Sequence, residues 1–99
     1  MGATTFSTVA KGATASEAFY AAVESAKHDH GHTGYTGTIA EKDDWTVIVP
    51  PAEHMALGAE ALAGHYIDND DERIVDKWGP AGCVDLGNGW YVFFGYASC

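Results

Sequence analysis

Positive charge is what this chain has least of. Lys and Arg number 5 against 14 Asp and Glu, giving a formal net charge of −9 and a pI near 4.6. That excludes an electrostatic grip on nucleic acid, because counterion release needs clustered cations. It equally disfavours attraction to anionic membranes. Cysteine is scarce as well. Cys83 and Cys99 stand far apart in no metal-ligand spacing, which excludes a thiolate zinc site and a disulfide framework. A reducing, cytoplasmic setting is therefore expected. No apolar run approaches the ~18 residues of a membrane span. Residues 1–12 lack the charged and apolar regions of a secretory leader. Phe6 also stands where myristoylation prefers Ser or Thr, so no lipid anchor is expected.

What is present is the composition of a folded chain. Of 99 residues, 46% are hydrophobic and 19% charged, with three Trp, five Tyr and four Phe. This suits a single domain over residues 1–99. Residues 4–9 read as a strand. Thr14 and Glu17 have the spacing of a capping box, and Ala18, Phe19, Ala22, Val23 and Ala26 follow at helical spacing. Residues 38–41 and 45–49 read as two strands, joined by a turn at Lys42-Asp43-Asp44. Pro50-Pro51 opens a second helix whose buried face carries Met55, Ala59, Leu62 and Tyr66, with Gly64 a candidate for an early end. Asn69 and Glu72 form a second capping pattern, which predicts a short helix over 70–78 closed by Gly79-Pro80. The chain closes in a hairpin, 83–86 and 90–96, around Gly87-Asn88-Gly89.

The expected fold is α+β: an antiparallel sheet of about five strands carrying two main helices and one short helix, in the order β-α-β-β-α-α-β-β. The last strand, Trp90-Tyr91-Val92-Phe93-Phe94-Gly95-Tyr96, is apolar on both faces. An antiparallel sheet covered on one side should alternate. Either helices cover both faces or one face serves self-association, and for so short a chain the sequence favours a homo-oligomer.

Five constellations could carry chemistry. His28, His30 and His32 lie within five residues, and neutral imidazole suits a divalent transition metal. Their spacing matches no complete ligand set, and histidines also suit a helix end for its dipole. His54 and His65 stand elsewhere, on one face of the second helix. The glycine-rich stretch from Gly31 to Gly37 follows a helix C-terminus, so it is a poor phosphate loop. Its hydroxyls Thr33, Tyr35, Thr36 and Thr38 could still hydrogen-bond a polar ligand. Lys11-Gly12-Ala13-Thr14 places a cation and free helix N–H groups together, which suits one phosphate or carboxylate but equally an ordinary cap. Cys83 has no histidine in nucleophile spacing and reads as inert, so no catalytic residue is assigned and an enzyme is not expected. The acids Asp68, Asp70, Asp71, Glu72 and Asp76 fit a helix start and lack the calcium-loop pattern.

A helix rich in Glu and Ala running into Gly31-His32-Thr33-Gly34-Tyr35-Thr36-Gly37-Thr38-Ile39, then Asp76-Lys77-Trp78-Gly79-Pro80-Ala81-Gly82-Cys83 and Phe93-Phe94-Gly95-Tyr96-Ala97-Ser98, resembles a class of short accessory proteins of phages and mobile elements. The resemblance covers about half of the chain. It implies a small binding protein acting against host defence, in the cytoplasm of an infected or carrier cell. Such a protein would bind a defence protein or sequester a small anionic, nucleotide-derived signal. Signal capture would use Lys11, Thr33, Tyr35, Thr36, Thr38, Lys77 and Trp78, the lysines for phosphate and the tryptophan for stacking on a base. The alternatives are a metal-binding protein using His28, His30 and His32, an acidic DNA mimic, and a structural assembly component. No cofactor beyond such a metal is expected.

Overall fold

A computed structural model describes residues 3–30, 39, 42–69, 71–75 and 79–98, the side chains of 3, 29, 30 and 98 excepted. Seven elements follow in order: β1 (Ala3–Lys11), α1 (Ala15–His30), β2 (Trp45–Val47), α2 (Ala52–Met55), α3 (Ala59–Asp68), β3 (Ala81–Gly87) and β4 (Trp90–Ser98). The strands form one sheet in the order β1-β4-β3-β2. β4 is antiparallel to both β1 and β3, whereas β2 runs parallel to β3.

The fold is thus α+β, but the sheet is mixed, and among the described residues it has four strands rather than five. The parallel pair has a direct cause. The chain between β2 and β3 carries α2 and α3, and a helical crossover returns the next strand in the same direction. Of the expected strand over 38–41, only Ile39 is described, and it lies in a 3₁₀ turn. The expected helix over 70–78 is replaced, across 71–75, by a hydrogen-bonded turn, with Ile74 and Val75 N–H both donating to the Asp71 carbonyl. Residues 76–78 lie outside the described set. Asn69 does not open that helix but closes α3. Its backbone N–H and its side-chain Nδ2 both donate to the His65 carbonyl, at 3.2 and 2.6 Å. Gly64 sits inside α3 rather than ending it.

Elsewhere the local chemistry acts as expected. Thr14 Oγ1 accepts from the Glu17 N–H at 3.2 Å, and the Glu17 carboxylate accepts from the Ala13 N–H at 2.9 Å. This capping box starts α1. The hairpin turns on Asn88 (φ 57°) and Gly89 (φ 83°), the two positive φ values that a type I′ turn requires. A bulge between Asp85 and Gly87 adjusts the register just before it.

Two cores lie on opposite faces of the sheet. Phe6, Ala10, Cys83, Phe93 and Ala97 pack against Ala18, Phe19, Ala22 and Val23 of α1. Val84, Val92 and Phe94 pack against Leu62, Ala63 and Tyr66 of α3, with Ile48 and Ile74 beside them. The crossover β1-α1-β2 runs from one sheet edge to the other, and the crossover β2-α2-α3-β3 runs back. Crossovers of one hand that run in opposite directions must use opposite faces. Both apolar faces of β4 are therefore covered by helix. Self-association loses the observation that favoured it, since the helices-on-both-sides alternative accounts for those faces.

Gly82 pairs with Phe94 across β3 and β4. A Cβ at Gly82 would stand 2.6 Å from Phe94 Cε2 and 2.9 Å from Ile74 Cγ2. Both neighbours are fully buried and cannot swing clear. Gly82→Ala should therefore cost about 1–3 kcal/mol by overpacking. Urea denaturation should show a lower midpoint with an unchanged slope; a change within about 0.5 kcal/mol would show that this face of the sheet is loosely packed.

Candidate functional site

Of the residues expected to capture an anionic signal, only Lys11 falls among those described; Thr33, Tyr35, Thr36, Thr38, Lys77 and Trp78 lie outside them. Lys11 ends β1, is exposed, and pairs with Trp90 across the sheet. Its Nζ stands 5.6 Å from the centre of the Trp90 ring, a cation–π distance. The backbone donors beside it are already used. Gly12 N–H donates to the Gly89 carbonyl at 2.9 Å, and Ala13 N–H donates to Glu17. The Glu17 carboxylate puts a negative charge where an anion would have to sit. The Lys11-Gly12-Ala13-Thr14 turn is thus a helix cap in use rather than an open anion cradle.

Of the proposed metal ligands, His28 is exposed in the last turn of α1. His30 ends that helix with its side chain outside the described set, and His32 lies outside it altogether. No group of three or more His, Cys, Asp or Glu among the described residues is placed to hold a metal.

The acidic stretch partly neutralises itself. Arg73 forks onto the Asp71 carboxylate, Nε to Oδ1 at 2.9 Å and Nη2 to Oδ2 at 2.7 Å, while the Arg73 backbone N–H also donates to Oδ1. The Arg73 guanidinium holds the Asp71 carboxyl down at about 2, chiefly by hydrogen bonding and against the opposing effect of burial. Cys83 lies within β3. It is fully buried, and burial first and the Asp85 charge second push its thiol up to about 11.

Lys42, expected in an exposed turn, is 3% exposed. Its Nζ donates to the Gly79 carbonyl at 2.8 Å, holding the approach to β3 against the segment before β2. Nothing in the Lys42-Asp43-Asp44 pattern distinguishes this lysine from a solvated one, because the anchor is a carbonyl 37 positions away.

An apolar groove of about 310 Å³ lies at the carboxyl end of β2. Val47, Ile48, Val49 and Pro50 form its floor, Ala52 and Met55 of α2 one wall, and Asp85 of β3 its charged end. Val47 is 56% and Val49 87% exposed. Their side chains alternate with that of buried Ile48, and the backbone groups alternate as well. Ile48 N–H donates to the Cys83 carbonyl, so Thr46 and Ile48 turn their polar groups toward β3, while Val47 and Val49 turn theirs outward. β2 is also an edge of the sheet. Apolar side chains and outward-turned backbone groups thus meet at one place, outside the carboxyl ends of two parallel strands, where open parallel sheets commonly bind ligands. Sequence reasoning missed this groove. Its only trace was that Val47 and Val49 exceed what a short edge strand needs for burial.

Two outcomes test these electrostatics. The Asp71 pKa lies below its ordinary 3.8, so the pair's stabilisation is complete above about pH 4 and is lost as pH falls toward 2. With the Arg73 side chain 48% exposed, solvent screening holds that contribution below about 1 kcal/mol. Asp71→Asn should lower stability by this small amount at pH 7 and by less at pH 2, where about half of the folded-state carboxyl is protonated, as read by denaturation at both pH values. In a Cys99→Ser background, Cys83 should react with a thiol reagent at pH 8 at least about a hundredfold more slowly in the folded protein than in guanidinium. Equal rates would place Cys83 within reach of solvent.

No protein-family model matches the chain, and neither a curated protein nor a solved structure is significantly similar to it, so its function has to be read from these side chains.

Proposed function

We propose that this chain is a small non-enzymatic binding protein that docks a basic protein partner in the groove at the carboxyl end of β2. The observation that carries the reading is the pairing of exposed Val47, Val49 and Met55 with an edge strand and the Asp85 charge. A segment that adds to the edge gains main-chain hydrogen bonds, and one apolar side chain can fill the groove. The net charge of −9 selects for a cationic segment and opposes a second copy of this chain.

The resemblance to phage and mobile-element accessory proteins makes a host defence protein the partner we propose. Capture of a nucleotide-derived signal has less support, because the N–H groups beside Lys11 are taken and Glu17 stands among them. No helix among the described residues is long and apolar enough to cross a membrane.

Site-specific photocrosslinking tests this. A crosslinker at Val49 should capture a partner through a Lys- or Arg-containing peptide, and capture should weaken in high salt. The same crosslinker at Tyr20, exposed on α1, should not capture it. Met55→Glu should reduce capture at least about tenfold, roughly 1.4 kcal/mol, without lowering thermal stability by more than a few degrees. Equal capture from Tyr20, or full capture by Met55→Glu, would show that the groove is not the docking surface.

A further inference from the structure

His54 of α2 and His65 of α3 belong to two helices separated by Ala56-Leu57-Gly58, not to one continuous helix face. The structure still brings their rings together, with centres 4.8 Å apart and planes inclined at 58°. Nδ1 of His54 is buried and has no hydrogen-bond partner. A buried polar atom without a partner costs about 1–3 kcal/mol, which is hard to reconcile with simple ring packing.

The spacing fits a chelate. A metal–nitrogen bond of about 2.0–2.1 Å puts an imidazole centre about 3.2 Å from the ion, so two cis imidazoles have centres about 4.5 Å apart at a right angle and about 5.2 Å apart at the tetrahedral angle. The observed 4.8 Å lies between these limits. Two imidazoles without a thiolate or carboxylate suit late first-row ions, with copper(II) ahead of nickel(II) and zinc(II).

We propose that His54 and His65 together bind one divalent late transition-metal ion, with water completing its coordination. The ion ties α2 to α3. α2 has four residues and cannot hold itself as an isolated helix, so a tether at His54 fixes the whole element. Met55, the next residue, is the groove wall, and it is fixed with it. The metal site itself stands whether or not the groove takes a protein.

The test removes the other histidines first. In a chain carrying His28→Ala, His30→Ala and His32→Ala, nickel(II) titrated calorimetrically should bind one ion per chain and raise the melting temperature. His65→Ala in that background should weaken binding more than about tenfold and abolish the thermal shift. His65 is exposed, so this variant keeps the fold. Paramagnetic broadening should reach the His54 and His65 ring resonances before any others. Absence of nickel(II) binding up to about 1 mM, or binding unchanged by His65→Ala, would overturn the site.

Discussion

Phe93 and Phe94 are consecutive residues of a central strand, and everything else in the molecule is arranged around that fact. A strand sends successive side chains to opposite faces. Phe93 packs edge-on against Phe19 of α1, with ring centres 5.5 Å apart, and Phe94 stacks on Tyr66 of α3 at 5.6 Å. Each buried phenylalanine stabilises the fold by about 1.5–3 kcal/mol only if its own face is covered. One helix could satisfy one of them and would leave the other in water. The two long helices must therefore take opposite faces, which requires crossovers in opposite directions, and the return crossover brings β3 beside β2 in parallel. The mixed sheet follows from two adjacent aromatic side chains.

Covering both faces has a consequence for where the molecule can bind. With both faces of the sheet covered, its edges and the carboxyl end of β2 stay open among the described residues. The apolar residues that stay exposed there, Val47 and Val49, lie beyond the reach of both cores. Charge points the same way. Of the five cations, Lys42 is buried on the Gly79 carbonyl, Arg73 is forked onto Asp71, Lys11 stands beside Trp90, and Lys27 is half-buried. Most of the described acids face water. The acidic composition thus carries through to the surface, and electrostatic steering favours a basic partner over an anionic one.

Local signals were legible in the sequence wherever the interaction is short-range. The Thr14–Glu17 box, the stripe from Ala18 to Ala26 and the Asn88-Gly89 turn depend on neighbours within a few residues, and each is found as read. The errors lie in which partner a side chain takes, near or far in the chain. Asn69 has the look of a helix start because its spacing to Glu72 is right, yet its side chain finds the His65 carbonyl behind it first. Lys42 looks solvated because its carbonyl partner is remote in the chain. The doubly apolar β4 showed that two faces needed covering, but not by what. The candidate site was least legible. The groove and the histidine pair both arise where α2 folds back on its neighbours, and the residues read as a ligand site fall mostly outside those described.

Why function should gather around α2 has a physical answer. A four-residue helix between Pro51 and Gly58 buries none of its own side chains. It therefore contributes little to global stability and can shift at small cost, which is characteristic of segments that bind and switch. The cores cannot play that part, since Phe93 and Phe94 tolerate no displacement without opening a cavity. Whatever restrains α2 controls the Met55 wall of the groove, and His54 is the residue of α2 that reaches toward α3. Adjacent positions thus give one short element both a binding wall and a point at which it can be held, so a weak ligand at His54 and His65 has mechanical leverage over the groove that the rigid sheet could never provide.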